Sequence, residues 1–396
     1  MKKFGPINQI KIFTFTYYGS ILLLNGFLPL YLQFRGFDMA QIGILMSIGP
    51  FISVIANPFW GFVSDRYQNT RSLIMFMMAA DLAIMTAVMF SNGFMMAAAI
   101  LVVFYFFQTA LSPLNTSLIL QVIDGTGVKF GNIRLWGSLG YAVLAITSGP
   151  IMQYVGIGNF GWVFIVFMFV AILLSTGLPQ RGAASPGKLM LRDFSKVIGN
   201  GAFVSLLFLS TLVFIPYAMN SAFLSIFIER LGGSEVSVGA ALFSSAILEV
   251  PVFLLLDRYM PQTIKAMLLL IALATFLFAL RWLLMSMAAS PAMVIAIQFS
   301  HSVTFGVYFY AATLLCEQLV PKSYRATGQS LYALATGGIS GLIAGYVGGL
   351  LFQYSGPRFM YLVGSFMALV GLTGYILLWL VLRKKIHSDS FSSYSS

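Results

Sequence analysis

The chain has 396 residues, 59% hydrophobic and 8% charged, with a formal net charge of +11. A water-soluble domain carries roughly a quarter charged residues, so too little polar surface is available here to cover an aqueous core, and the composition is that of an integral membrane protein. One cysteine, Cys316, excludes a disulfide framework.

A membrane-crossing helix needs about 20 mostly apolar residues. Twelve candidates follow along the chain, at residues 12–32, 39–63, 72–90, 94–122, 133–152, 160–178, 203–227, 236–256, 264–287, 292–316, 328–353 and 359–382. Helices are expected because lipid offers no partner to an open strand edge. The first segment is too long for a signal-peptide core and lacks a small-residue cleavage site, so it is expected in the mature protein.

Lys and Arg set the orientation. With both termini cytoplasmic, seventeen basic residues fall inside, among them Lys2, Lys3, Arg66, Arg71, Arg181, Arg258, Arg325 and Arg383. Three fall outside: Arg35, Arg230 and Arg358. This asymmetry accounts for the positive charge with a lipid bilayer as partner and without nucleic acid.

The halves echo each other. "SDRY" at 64–67 returns as "LDRY" at 256–259, and "MQYVG" at 152–156 returns as "FQYSG" at 352–356. Both pairs occupy equivalent places in a six-plus-six arrangement. The fold class is therefore an all-α membrane protein with two pseudo-symmetric six-helix bundles. The bundles are expected at 1–178 and 203–383, with a cytoplasmic linker at 179–202, an amphipathic piece "LRDFSK" at its end, and a polar cytoplasmic tail at 384–396. Parallel repeats of this size are a transporter architecture, with the solute site between the halves.

"GFVSDRYQNTR" at 61–71 resembles the loop signature of the major facilitator superfamily. Gly61, Asp65, Arg66 and Arg71 match, and Gln68 replaces the second glycine. The resemblance implies that Asp65 and Arg66, with Asp257 and Arg258 in the repeat, latch the cytoplasmic ends of helices and gate the inner face. The alternative for this loop is a charged turn obeying the orientation rule.

A charge near the bilayer centre costs at least about 2.5 kcal/mol and points to function. Glu249 lies eight residues from Asp257, about 12 Å at 1.5 Å per residue, close to the midplane. His301 and Arg281 lie at compatible depths, and Asp81 is halfway along the third segment. Glu249 is expected to carry a proton or substrate; the alternative is a buried Glu–Arg pair that only holds helices together. His301 is either part of that site or bonded to a backbone carbonyl. Asp81 is either a proton site or a buried structural acid.

"KFGNIRLWGSLGY" at 129–141, "LRWLLMS" at 280–286, "FSHSVTFG" at 299–306 and "AILEVPVF" at 246–253 are similar to the phenylpropionate permeases and, more distantly, the lactose permeases. The resemblance implies substrate binding by Arg134, stacking by Tyr141, and a polar site of Glu249, Arg281 and His301. Thr304 and Thr116 stand where lactose permeases have acids, so lactose and that proton route are not carried over. Asn57 occupies the repeat position of Glu249, and Tyr217 and Asn220 are further mid-segment polar candidates. Gly337, Gly341, Gly345 and Gly349, at four-residue spacing, are expected to let helices approach closely.

There is no phosphate-binding loop, no metal-ligand spacing and no nucleophile–base pair. The expectation is a monomeric secondary transporter without cofactor, not an enzyme, in the inner or plasma membrane. It takes up a small organic solute, an aromatic acid or a sugar, together with protons. Two arginines at the site suit an anionic or hydroxyl-rich solute. A proton-driven efflux antiporter and a membrane solute sensor are the alternatives.

Overall fold

The computed structural model describes residues 5–67, 69–128, 130–179, 198–261, 263–321 and 324–392. Among the described residues, twelve helical stretches are long and apolar enough to cross a membrane. Six precede residue 180 and six follow residue 200. The expected amphipathic piece at 191–196 and most of the expected linker lie outside the described residues.

The first six crossings are α1 (Pro6–Phe34), α2 (Met39–Tyr67), α3 (Thr70–Met89), α4 (Phe94–Ile123), α5 (Phe130–Val155) and α6 (Phe160–Ser175). The seventh is α7 (Gly201–Arg230). The eighth is split into α8 (Glu235–Ala246) and α9 (Glu249–Tyr259). The ninth is α10 (Ile264–Ser286). The tenth joins α11 (Pro291–Gln298) to α12 (Val307–Leu319) through a π-helical turn at Ser302–Gly306. The eleventh joins α13 (Arg325–Ala333) to α14 (Ser340–Tyr354) through a second π-turn at Leu334–Ile339. The twelfth, α15 (Gly356–Ser392), continues as helix through most of the segment expected as a tail.

The twelve segments read from hydropathy are all present, but three of them are not continuous α-helices. In the eighth, Pro251 has no N–H for the Ile247 carbonyl and its ring crowds that carbonyl, so the helix stops at Ala246 and restarts at Glu249. π-turns are rare and gather at functional places; the one at Ser302–Gly306 follows His301 directly.

The halves meet at the ends of the helices opposite the chain termini, where glycines allow backbone contact. A Cβ on Gly43 of α2 would lie 2.1 Å from the Gly345 carbonyl oxygen of α14. A Cβ on Gly239 of α8 would lie 2.4 Å from the Ala145 carbonyl oxygen of α5. Two hydrogen bonds reinforce this seal: Gln33 Nε2 donates to Glu229 Oε2 at 2.9 Å, and the Ala40 amide donates to Gln353 Oε1 at 2.8 Å.

Of the four-residue glycine series, Gly341, Gly345 and Gly349 face α2, whereas Gly337 has open space beside it. Gly338 approaches Val54 and Pro50 instead. The π-turn at Leu334–Ile339 adds a residue to the local turn and rotates Gly338 onto that face.

Candidate functional site

A cavity of about 300 Å³ lies between the halves, with Tyr18, Arg134 and Tyr141 on one wall and Tyr217, Asn220, Glu249 and His301 on the other. Arg134 sits four residues into α5. Its guanidinium lies 4.2 Å from the centre of the Tyr18 ring. Gly137, one turn on, makes that pose possible, because a Cβ there would meet Tyr18 at 2.7 Å and Arg134 Nη1 at 2.8 Å. Arg134, expected from the resemblance to bind substrate, thus lies in the cavity wall.

The opposite wall carries a chain of three groups from three crossings. Arg281 of α10 is 1% exposed. Its Nη1 lies 3.2 Å from His301 Nδ1 and 3.1 Å from Thr304 Oγ1, and its Nη2 donates to Gln298 Oε1 at 2.5 Å. His301 Nε2 lies 3.3 Å from Glu249 Oε1. Arginine only donates, so Nδ1 of His301 must accept. That assigns the ring proton to Nε2, which donates to the Glu249 carboxylate. The imidazole is neutral and oriented at both nitrogens.

Glu249 is the outermost member of this chain, its side chain 22% exposed against 11% for His301. It occupies the first turn of α9, where the positive end of a helix favours a carboxylate. The split in the eighth crossing therefore delivers an acid to the cavity wall. Ser302 Oγ donates to the Ser245 carbonyl at 3.3 Å beside the split.

Aromatic groups shape the space. Tyr217 and Phe305 stack at 5.0 Å and 13°, and His301 stacks on Phe305 at 5.1 Å. Asn220, in the cavity lining, accepts at Oδ1 from Tyr361 at 3.1 Å.

The remaining sequence candidates lie elsewhere. Two arginines at the cavity were expected, but Arg281 does not line it: its Nη1 and Nη2 face Gln298, Thr304 and His301, and its Nε is buried without a partner among the described residues. Asn57 of α2 is half-buried, outside the cavity lining, with its Oδ1 unpartnered among the described residues. Asp81 of α3 is fully buried and also away from the lining. Gly61 and Asp65 fall in the last turns of α2, Arg71 in the first turn of α3, and Asp257 near the end of α9. Arg66 and Arg258 are exposed, and the side chains of Asp65 and Asp257 lie outside the described set. No metal-binding group of His, Cys, Asp and Glu occurs among the described residues.

Sequence reasoning missed Tyr18 and Asn25, both in the cavity lining. Their seven-residue spacing with Ile21 between them marks one face of α1. Tyr18 and Tyr217 also stand 199 residues apart, close to the repeat offset, so the two halves present equivalent tyrosines to one cavity.

The model of the MFS_1 like family matches residues 7–363. The chain belongs to this family. It is 28% identical over 384 residues to the maltose permease of Geobacillus stearothermophilus, covering 95% of this chain and 96% of that one. It is 26% identical over 381 residues to the uncharacterized transporter YwbF of Bacillus subtilis (strain 168), covering 95% and 94%. Multidrug resistance protein MdtG of Salmonella typhi is 25% identical over 264 residues, or 62% and 64% of the two chains. Among solved structures, the nucleoside transporter NupG superposes with a TM-score of 0.81 at 15% identity, covering 95% and 99%, a likeness of fold. The family member is thus a membrane transporter of the major facilitator type, built as two six-helix bundles, and not an enzyme.

Proposed function

We propose that this transporter takes up a small, ring-shaped, hydroxyl-rich solute together with protons. The observation that carries the reading is the Arg281–His301–Glu249 chain ending at a cavity shared by both halves. With Glu249 ionised, its charge balances that of Arg281 through the neutral imidazole. With Glu249 protonated, the buried Arg281 loses that balance, and a charge buried in low dielectric is costly to leave unpaired. Protonation therefore changes the relative stability of the two access states, which is what coupling requires.

Arg134 keeps its guanidinium donors for the solute, opposite the Glu249 acceptor, while Tyr18, Tyr141 and Tyr217 supply ring faces. A single cavity arginine facing a carboxylate suits a neutral polyol better than a dicarboxylate. The full-length similarity to a maltose permease supports a sugar. The seal opposite the termini, taken with the basic residues at the other end, supports an inward-facing state with cytoplasmic termini in the cell membrane. The Asp65–Arg66 and Asp257–Arg258 pairs would then latch the inner face in the alternate state. Efflux is favoured only by the partial likeness to MdtG.

External pH, followed in lightly buffered cells expressing the protein after addition of sugars, nucleosides and aromatic acids, tests the reading. A solute that alkalinises the medium with wild type but not with Glu249→Gln supports coupled uptake through Glu249. If no solute does so while toxic compounds are expelled, efflux replaces uptake.

A further inference from the structure

Asp81 is 0% exposed, and neither carboxyl oxygen has a hydrogen-bond partner among the described residues. It lies eleven residues from one end of α3 and eight from the other, within about 12–17 Å of either by helical rise. No ordinary structural role explains it, since a carboxyl that only braces helices would be hydrogen-bonded. An isolated ionised carboxylate in such a place neutralises instead.

Other polar groups of the N-terminal bundle are buried and unpartnered among the described residues as well. Tyr17 of α1, which lies near Asp81, is buried with its hydroxyl unpaired among the described residues. In the same bundle Thr14 Oγ1, one turn from Tyr17, and both amide atoms of Asn115 on α4 are buried and unpaired among the described residues. The elements packed on α3 bring no compensating charge to its middle. α6 has no titratable residue, and α4 carries only Tyr105 along its length. On α1 the groups are Tyr17, Tyr18, Tyr31 and, nearer the terminus, Lys11, whose amine sits over the Trp136 ring; Arg35, which follows α1, donates to Tyr31 and to the Met89 carbonyl at the end of α3, eight residues from Asp81. On α2, Asp65, Arg66 and Tyr67 cluster at its end, and on α3 itself Arg71 lies ten residues from Asp81.

A connection to the solute cavity is present. The Tyr17 and Tyr18 rings meet edge-on at 5.2 Å, the Tyr18 ring carries Arg134, and the Tyr18 hydroxyl lies 3.1 Å from Ser112 Oγ. The path from Asp81 thus ends at the first-half wall of the cavity, across from Glu249.

We propose that Asp81 is a second proton-binding site, inside the N-terminal bundle and apart from the solute cavity, linked to it through Tyr17, Tyr18 and Arg134. The carboxyl is protonated in the present arrangement and releases its proton in the alternate one, when rearrangement of α1 brings donors to it. The inference rests on the reading of proton-coupled uptake.

The test uses full-length protein in vesicles, with the solute that alkalinises the medium with wild type. Asp81→Asn keeps the shape of the protonated acid but cannot release a proton. Solute counterflow is expected to persist in it, while accumulation against a gradient and coupled alkalinisation are lost. Wild-type accumulation and alkalinisation in Asp81→Asn would overturn the proposal and leave Asp81 a permanently neutral structural group. Should Asp81→Asn not reach the membrane, Tyr17→Phe is used. A shifted pH profile of uptake with intact counterflow is expected, and an unchanged profile overturns the link. If the wild type itself moves no protons with any solute, the coupled-uptake reading fails, which this arm distinguishes from failure of Asp81 alone.

Discussion

Glu249 and His301 meet at 3.3 Å, brought together by a break in the eighth crossing and a π-turn in the tenth. The second nitrogen of His301 faces Arg281, so the imidazole cannot take a further proton without losing that donor. An arriving proton therefore goes to Glu249. Arg281→Met strands Gln298 Oε1, Thr304 Oγ1 and His301 Nδ1. Stranded buried acceptors cost about 1–3 kcal/mol each, so a clear fall in melting temperature of the purified protein is expected. Proton coupling is expected to be lost while solute affinity changes little, since Arg281 does not line the cavity; calorimetric binding beside vesicle uptake separates the two.

Arg134 is expected to bind solute directly. Arg134→Lys keeps the charge and loses the planar fork and its stacking on Tyr18. A loss of about 1.4 kcal/mol, or a tenfold rise in KM, is expected with little change in maximal rate. An unchanged KM would remove Arg134 from the solute contact.

Pro251 causes the break that presents Glu249. Pro251→Ala restores an N–H for the Ile247 carbonyl and removes a helix-interior penalty of about 3 kcal/mol. A continuous eighth helix, higher thermal stability and slower coupled uptake are expected together. A stabilised variant with wild-type uptake would show that the break is not needed for transport.

The seal opposite the termini depends on Gly43. Any Cβ there meets the Gly345 carbonyl at 2.1 Å, and overpacking of about 1–3 kcal/mol would fall only on the sealed arrangement. Gly43→Val is expected to shift the population roughly tenfold or more toward the opposite access state. Labelling of a Ser221→Cys reporter in the cavity, by a membrane-impermeant thiol reagent from outside, should rise accordingly. The native Cys316 is fully buried, so background labelling is low.

The fold was legible in the chain because the bilayer imposes one simple rule. Each crossing must satisfy its own backbone in a single apolar helix, and hydropathy plus the Lys and Arg asymmetry expose that rule residue by residue. Glu249, Arg281 and His301 stood out for the same reason: ionisable groups are rare at that depth. What the tertiary structure decided is which of these groups meet, and what each is free to do. Arg281 and Arg134 look alike in sequence, yet one is buried with its Nη1 and Nη2 against Gln298, Thr304 and His301 and the other faces the cavity beside Tyr18. Asn57, placed by repeat with Glu249, stays outside the cavity lining, whereas Tyr18 and Asn25, unremarkable among many polar groups, line it. The π-turns and the Pro251 break rotate and displace residues from the regular 3.6-residue phase. Such rotations are set by packing between helices, which no count along one helix can see.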